Sequence, residues 1–266
     1  MPAIDNTLVR QQAAELAELC ESPDAFIRPL RQVLEQHADP SLRQSLVVSI
    51  HAPLAGFGTP RPVLRAILGR LRKRLRSQPE VTFELAEALW ESGSREERWL
   101  AGDLLSMCTP VDPGRAEVML NRWRLDLTDA GMADDLGLSA GAAVLRLNTR
   151  EHLSDVRLWL HAGHRWTRRF GLASLVGLVK SGDFRDAAAI LDTISTSMSE
   201  SDTEVRTAVA WLLRELTPVS SLDVIRFLRD WARSLNRHAH WIIRHSLDML
   251  DAEARDEIQL ALRGSG

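Results

Sequence analysis

An aspartate at the start of an apolar helical stretch is the first candidate for chemistry in this sequence. Residues 125–137 read LDLTDAGMADDLG, and Asp129 stands where a helix would begin. A carboxylate there can accept hydrogen bonds from the free backbone N–H groups of a first helical turn. It can equally orient water and stabilise developing positive charge in a hydrolytic reaction. Asp129 is therefore predicted either to cap a helix or to act in an active site, and the two roles are compatible.

A run of basic residues forms the second candidate site. Residues 61–76, RPVLRAILGRLRKRLR, contain seven positive charges and no acid. Exposed helices normally gain from opposite charges four residues apart, so this run is either a solvated helix face or a surface that binds phosphates. Arg65, Arg72 and Arg76 are the residues of this segment that we take as candidates for DNA contact.

A shorter basic cluster lies in HRWTRRF, residues 164–170, where three arginines bracket Trp166. Arg165, Arg168 and Arg169 could bind phosphates, since guanidinium groups suit that contact. Arg169 has an equally good structural interpretation, because arginine recurs at its position in an internal repeat and could bond neighbouring helical hairpins.

The chain has eight tryptophans and no tyrosine. Most of these indoles, such as Trp90, Trp99 and Trp159, sit on apolar helical faces and are expected in the core. Trp123 and Trp211 are the exceptions, and we take both as candidates for DNA contact.

Metal and cofactor chemistry is not expected. The histidines at 161, 164, 238, 240 and 245 have no acidic or cysteine partner at a recognised ligand spacing. Cys20 and Cys108 lie in apolar helical patterns and are predicted to be small buried residues rather than a disulfide or metal pair. The sequence also has no phosphate-cradling glycine loop and no nucleophile elbow.

Composition indicates an ordinary globular protein. The chain has 266 residues, 45% of them hydrophobic, which is enough to build a sizeable core. A net charge of −3 argues against a wholly basic nucleic-acid binder. Charge interrupts every apolar run before the length of a membrane span, and the N-terminus lacks the layout of a signal peptide. We therefore expect a monomer in the cytoplasm, associated with the nucleoid if the source is bacterial.

Helical spacing recurs from end to end, and no segment alternates as a strand would, so the fold is predicted to be all-α. Leu64, Leu68, Leu71 and Leu75 share one face of a predicted helix, with basic residues on the others. Proline and glycine clusters at 55–62, 108–114 and 180–183 predict helix breaks. These features indicate short to medium helices joined by tight turns.

An internal repeat indicates how these helices are arranged. WTRRFGLASL (166–175) and WIIRHSLDML (241–250) share Trp-x-x-Arg-x-x-Leu-x-x-Leu, and TEVRTAVAWL (203–212) keeps the arginine. Arg169, Arg206 and Arg244 are 37 and 38 residues apart, and Arg98 is a plausible fourth copy. Helical hairpins repeating at this period stack into a superhelical solenoid. We therefore predict one HEAT-like repeat domain over residues 1–266.

The order of several segments resembles the HEAT-like DNA alkylation repair family, which includes alkylpurine DNA glycosylases. LAGFGTPRPVLRAI (54–67) is similar to the family's Gly-x-x-Thr-Pro turn, and ALWESGSREERWLAGDLLSM (88–107) to its Leu-Trp helix and the helix that follows. LDLTDAGMADDLG then matches the segment that carries the family's catalytic aspartate. RWTRRFGLASL and EVRTAVAWLLREL complete the match, which is strongest over residues 54–216.

The resemblance implies roles for individual residues. Asp129 falls on the catalytic aspartate, Arg169 on the active-site arginine and Trp211 on a tryptophan that contacts the lesion-bearing strand. The family's glycosylases place a second tryptophan four residues before the aspartate, where this chain has Leu125. Trp123, two residues further back, is the nearest indole and could replace it if the helix is shifted.

The implied reaction is hydrolysis of the bond between deoxyribose and an N3- or N7-alkylated purine in double-stranded DNA, without base flipping and without a cofactor. Two alternatives remain. One is a non-catalytic binder of damaged or branched DNA, which Leu125 favours, and the other is a protein-interaction scaffold, with which the net charge is consistent.

Overall fold

The structure, a computed structural model, describes residues 5–48 and 55–264, except for the side chains of 45–48. Within these ranges every regular element is helical and there is no β-strand. The predicted all-α fold is confirmed. Among the described helices none is long and apolar enough to cross a lipid bilayer.

The chain divides into two compact units, Met1–Leu136 and Gly137–Gly266, each with its own core. The first unit contains α1 (Asn6–Leu19), α2 (Pro23–Gln36), α3 (Pro40–Val48), α4 (Arg61–Leu75), α5 (Pro79–Ser92), α6 (Arg95–Cys108), α7 (Pro113–Trp123) and α8 (Ala130–Leu136). The second unit contains a π-helical segment (Gly137–Gly141), α9 (Ala142–Leu147), α10 (Thr149–Leu160), α11 (Arg165–Ser181), α12 (Ala187–Ile194), α13 (Thr203–Leu216), α14 (Ser221–Ala232), α15 (Arg237–Arg244) and α16 (Ala252–Gly264), with 3-10 segments at Ser195–Ser199 and Leu247–Met249. A single continuous repeat domain stays a prediction.

The amphipathic helix predicted from the leucine spacing is α4. Leu64, Leu68, Leu71 and Leu75 are all buried, as predicted, and α4 packs on α1 and α6. Its basic residues are exposed on the remaining faces. Burial of this apolar stripe therefore provides the main stabilisation that holds α4 in place.

The loop before α4 is tied to the start of α6 by a buried carboxylate. Glu96 is 5% exposed and accepts hydrogen bonds from the backbone N–H groups of Phe57, Gly58 and Thr59 at 3.0, 2.8 and 3.1 Å. Gly58 has φ of 77°, and a Cβ there would lie 2.7 Å from the backbone N of Arg43. Only glycine therefore fits this turn.

The predicted helix breaks are confirmed. α4 begins at Arg61, near the end of the first proline and glycine cluster, and α7 begins at Pro113, within the second. α11 ends at Ser181, where Gly182 adopts φ of 75° as a left-handed cap. Both cysteines are buried and free, as predicted.

Helix α11 is the centre of the second unit. Thirteen of its seventeen residues are buried, and it packs on α9, α10, α13 and the π-helical segment. Glycines permit the closest approach: a Cβ at Gly177 would lie 2.6 Å from Cβ of Ala142 and 2.9 Å from the carbonyl oxygen of Leu138. The two backbones are therefore too close for any side chain at position 177.

The repeat arginines link every second helix of the second unit, α11 to α13 and α13 to α15. Arg169, on α11, donates from Nη1 to the carbonyl oxygen of Glu204 at 2.5 Å, in the first turn of α13. Arg206, on α13, lies 3.1 Å from Nδ1 of His238, in the first turn of α15. The recurring arginine thus has a structural role in two copies of the repeat. In the third copy the helix ends at Arg244.

Candidate functional site

Asp129 combines the two roles that its sequence context allows. It directly precedes α8, and its Oδ1 accepts a hydrogen bond from the backbone N–H of Met132 at 3.0 Å, as a capping residue does. Unlike an ordinary surface cap, Asp129 is 7% exposed. A buried carboxylate is costly unless its charge is paired, so the surroundings of Asp129 must supply a partner.

The partner is Arg95, the first residue of α6. Its Nη2 donates to Oδ1 of Asp129 at 2.9 Å, and the two side chains are 21% and 9% exposed. Two donors therefore converge on Oδ1, while Oδ2 is buried and has no hydrogen-bond partner among the described residues. The two oxygens of this carboxylate therefore differ in their hydrogen bonding.

The position of Arg95 follows from the cap of its own helix. Ser94 and Glu97 form a capping box, in which the Ser94 hydroxyl accepts from the N–H of Glu97 and the Glu97 carboxylate accepts from the N–H of Ser94. Arg31 donates to the same carboxylate at 2.7 Å. Burial raises the pKa of Glu97, and the hydrogen bonds from Arg31 and Ser94 outweigh that effect and lower it. These contacts fix the start of α6, where Arg95 meets Asp129.

The structure corrects the role predicted for Trp123. Trp123 is fully buried and stacks on Trp90, with ring centroids 4.5 Å apart and planes 2° from parallel. The Trp90 indole donates to Asp126 at 2.9 Å, and the Arg98 guanidinium lies 4.8 Å from the Trp90 ring centroid. Trp123 is a core residue with no surface to offer DNA, whereas Leu125 is 62% exposed.

A second row of ion pairs lies beside the Asp129–Arg95 pair in the first unit. Arg61 binds Asp135 at 2.6 Å, and Arg72, one of the predicted DNA contacts, binds Asp103 at 2.7 Å. Burial raises the pKa of Asp103 to about 6, against the opposing charge of Arg72. Burial likewise raises the pKa of Asp135.

A cavity of about 170 Å³ opens next to these pairs. Its walls include Thr59, Arg61, Arg95, Trp99 and Asp135, and the Arg61 guanidinium lies 4.9 Å from the Trp99 ring centroid. Sequence analysis missed both Arg95 and this cavity. The available signal was a glycine at position 131, in the first turn of a helix, where its low helix propensity suggests a close approach.

Two of the three α4 residues that were predicted to contact DNA remain available to bind it. Arg65 and Arg76 are exposed and make no hydrogen bond or ion pair within the described part of the chain. Arg74, by contrast, is ion-paired with Glu21. The unpaired cations indicate that this face of α4 is suited to binding an anion from solution.

The candidate residues of the second unit are largely engaged within it. Arg169 is 7% exposed, so its contact with α13 supports the structural interpretation over direct DNA contact. Arg168 binds Glu200 at 2.8 Å. Arg165, whose side chain is 39% exposed, lies over the Trp166 ring and 3.5 Å from Asp202.

Trp211 is partly exposed on α13. Its indole N–H donates to Glu215 at 3.0 Å, and Lys180 Nζ lies 5.9 Å from the ring centroid. DNA contact by Trp211 stays a prediction.

Among the described residues no three His, Cys, Asp or Glu side chains form a group that could hold a metal ion.

Comparison with known proteins gives the family. The profile of the family described as DNA alkylation repair enzyme matches residues 30–250. No curated protein matches the chain significantly in sequence. The structure of a predicted DNA alkylation repair enzyme from Enterococcus faecalis aligns with a TM-score of 0.65 at 16% identity, over 81% of this chain and 98% of that one.

A second solved structure with the same fold is that of the alkylpurine DNA glycosylase AlkC from Pseudomonas fluorescens, bound to DNA containing an abasic site analog. It aligns with a TM-score of 0.54 at 15% identity, over 98% of this chain and 68% of that one. These likenesses show a shared fold, and the family profile spans most of the chain. The resemblance seen in the sequence motifs is thereby confirmed: the chain belongs to the DNA alkylation repair enzyme family.

Proposed function

We propose that the protein is a DNA glycosylase that hydrolyses the N-glycosidic bond of cationic N3- or N7-alkylpurines in double-stranded DNA. One observation carries this proposal: Asp129 is a buried carboxylate with one oxygen that makes no hydrogen bond in the described part of the chain. Membership of the DNA alkylation repair family and the shared fold with an alkylpurine DNA glycosylase support the same class of reaction.

A single carboxylate is enough for this reaction because of the charge on the leaving group. An alkylated purine is already cationic, so it departs as a neutral base without a general acid, unlike an ordinary glycoside, which requires two carboxyl groups. In our proposal Oδ2 of Asp129 stabilises the positive charge that develops on the deoxyribose. The same oxygen orients and deprotonates the attacking water.

The DNA is proposed to bind by its backbone, through the unpaired cations of α4 and through Arg165. Arg65 and Arg76 are exposed and make no hydrogen bond or ion pair among the described residues, so they can neutralise phosphates, although Arg65 also lies close enough to Asp103 to lower the pKa of that carboxyl group. Trp211 is proposed to pack against sugar and phosphate atoms. This mode needs no pocket for a flipped base, and it needs neither a metal nor a cofactor.

A non-catalytic role in binding damaged or branched DNA is the second candidate. It is favoured by the observation that the position of the family's second tryptophan holds Leu125, 62% exposed, while Trp123 is fully buried. No indole of this segment can therefore line a lesion cleft in the described structure. Leucine at this position weakens stacking on the damaged strand but leaves Asp129 unchanged.

Release of free base separates the two candidates. The purified protein should release N3-methyladenine or N7-methylguanine from alkylated duplex DNA, and should release nothing from the same duplex without the lesion. A binding titration at two salt concentrations should run in parallel. Salt-dependent binding without base release would replace the glycosylase with the non-catalytic binder, and absence of binding would reject both.

A further inference from the structure

The two oxygens of Asp129 differ because one of them is held by a neighbouring helix. Oδ1 receives Nη2 of Arg95 at 2.9 Å and the backbone N–H of Met132 at 3.0 Å. One donor belongs to α6 and the other to the first turn of α8. Together they fix the plane of the carboxylate and leave Oδ2 as the oxygen without a partner.

Gly131 is the residue that admits Arg95 to this position. A Cβ on Gly131 would lie 1.8 Å from Nη2 of Arg95, closer than any real contact, and 3.0 Å from its Cζ. The same Cβ would lie 3.3 Å from Oδ1 of Asp129. Glycine in a helical first turn is otherwise unfavourable relative to alanine, so the absence of a side chain here has a specific consequence.

We infer that Arg95 is a positioning residue for Asp129, admitted by Gly131, and that it determines which oxygen, Oδ2, meets the substrate. The inference rests on the proposed glycosylase function and adds to it a residue of α6 that the resemblance did not assign. Arg95 does not touch the reacting atoms, because its guanidinium contacts only the opposite oxygen.

Two opposing effects decide whether loss of Arg95 slows or accelerates base release. The guanidinium reduces the negative potential that Asp129 offers to a cationic transition state, which slows the reaction. Orientation acts the other way, since a displacement of about 1 Å in a catalytic group can cost about 100-fold in rate. Loss of Arg95 would also leave a buried carboxylate without this cationic partner, which favours rotation of the Asp129 side chain toward solvent. Orientation therefore dominates, and loss of Arg95 slows the reaction.

Gly131→Ala tests the inference without changing any charge. The new methyl group displaces the end of the flexible Arg95 side chain and lies at a tight 3.3 Å from Oδ1 of Asp129, so the protein still folds, but Arg95 can no longer reach Oδ1. We expect the single-turnover rate constant of base release to fall by about 10–100-fold, with the Kd for lesion-bearing DNA unchanged.

The chain supplies a matched control at the start of α7. Asp112 caps that helix through the N–H of Arg115 at 3.0 Å, and Gly114 occupies the same position relative to it as Gly131 does to Asp129. A Cβ on Gly114 would meet only Asp112 Oδ1, at 3.8 Å. Gly114→Ala should therefore leave both the rate constant and the Kd at the parental values.

Chemical rescue adds a readout that a purely structural role would not move. Arg95→Ala should slow base release, and added guanidinium ion should restore part of the rate relative to sodium chloride at equal ionic strength. Gly131→Ala should not respond, because its methyl group occupies the place of the guanidinium. Parental rates in Gly131→Ala would overturn the inference, as would an Arg95→Ala variant that guanidinium leaves unchanged.

These outcomes are distinct from failure of the proposed function. If the parent releases base and Asp129→Asn does not, while Gly131→Ala works at the parental rate, only the positioning role is wrong. If the parent releases no base, the glycosylase proposal fails and the positioning role fails with it. If Asp129→Asn releases base at the parental rate, the protein is still a glycosylase, but the proposed role of Asp129 is wrong and the positioning role fails with it.

Discussion

Asp129 and Asp112 show how the same local chemistry leads to different roles. Each precedes a helix, accepts the N–H three residues on, and is followed two residues later by glycine. Asp112 is exposed, whereas Asp129 is buried and bonded to Arg95. Capping alone therefore does not distinguish an active-site carboxylate. The burial of Asp129 and its charged partner from another helix are the observations that support its proposed role in the active site.

Arg169 is predicted to stabilise the second unit. Its guanidinium is buried and donates to the backbone of Glu204, so Arg169→Ala should lower the free energy of unfolding by about 2–3 kcal/mol. Arg165→Ala, at a half-exposed side chain, should cost no more than about 1 kcal/mol. Urea unfolding of both variants measures the difference. Equal stabilities would show that the contact with Glu204 contributes nothing.

Asp103 is predicted to make stability depend on pH. Burial raises its folded-state pKa to about 6 from an ordinary 3.8, so its favourable contribution is fully present below pH 4 and is lost as the pH rises through 6. Asp103→Asn cannot ionise. Relative to the parent, its free energy of unfolding should therefore increase between pH 4 and pH 8, by up to about 3 kcal/mol. If the difference in free energy of unfolding between Asp103→Asn and the parent were constant over this pH range, the raised pKa of Asp103 would be contradicted.

At the scale of elements, the close approach of α11 to its neighbours should be intolerant of side chains. Gly177→Ala would force Cβ within 2.6 Å of Ala142 and should lower the free energy of unfolding by about 1–3 kcal/mol. Gly171→Ala, on the same helix, meets its nearest neighbour at 3.4 Å and should be neutral or slightly stabilising. Thermal unfolding of the two variants compares them directly. Equal losses of stability would show that close packing at Gly177 is not the cause of its destabilisation.

The helices and their breaks could be predicted from sequence because local patterns determine them. The leucine spacing of α4 and the proline and glycine clusters act within one helix or one turn. The partner of Asp129 could not be predicted, because Arg95 is 34 residues away along the chain and reaches it only through packing of α6 against α8. Trp123 failed as a predicted contact for a related reason: stacking on Trp90 of α5 buries it.

At the scale of the whole molecule, a net charge of −3 requires that any DNA binding be local. Arg65 and Arg76 make no hydrogen bond or ion pair among the described residues, so replacing either with alanine should weaken binding and reduce the slope of log K against log salt by about 0.9. Arg74→Ala, on another face of α4 and ion-paired with Glu21, is the control and should keep the parental slope. Identical slopes in all three variants would exclude this face of α4 from the interface.

Family membership and the identity of the active residue have different support in this chain. The family follows from a profile that spans residues 30–250. The role proposed for Asp129 is supported by its burial, its partner Arg95 and an Oδ2 without a hydrogen bond among the described residues, all of which lie in the first unit. In the proposed mechanism the reaction depends on a single carboxylate, so a single substitution tests it.

Single-turnover release of N7-methylguanine from duplex DNA, compared among the parent, Asp129→Asn and Asp112→Asn, tests this dependence most directly. Asparagine caps a helix as well as aspartate does, so both variants keep their helix starts. We predict that Asp129→Asn loses at least about 100-fold in rate while retaining DNA affinity, and that Asp112→Asn matches the parent. Release by Asp129→Asn at the parental rate would contradict the proposed role of Asp129.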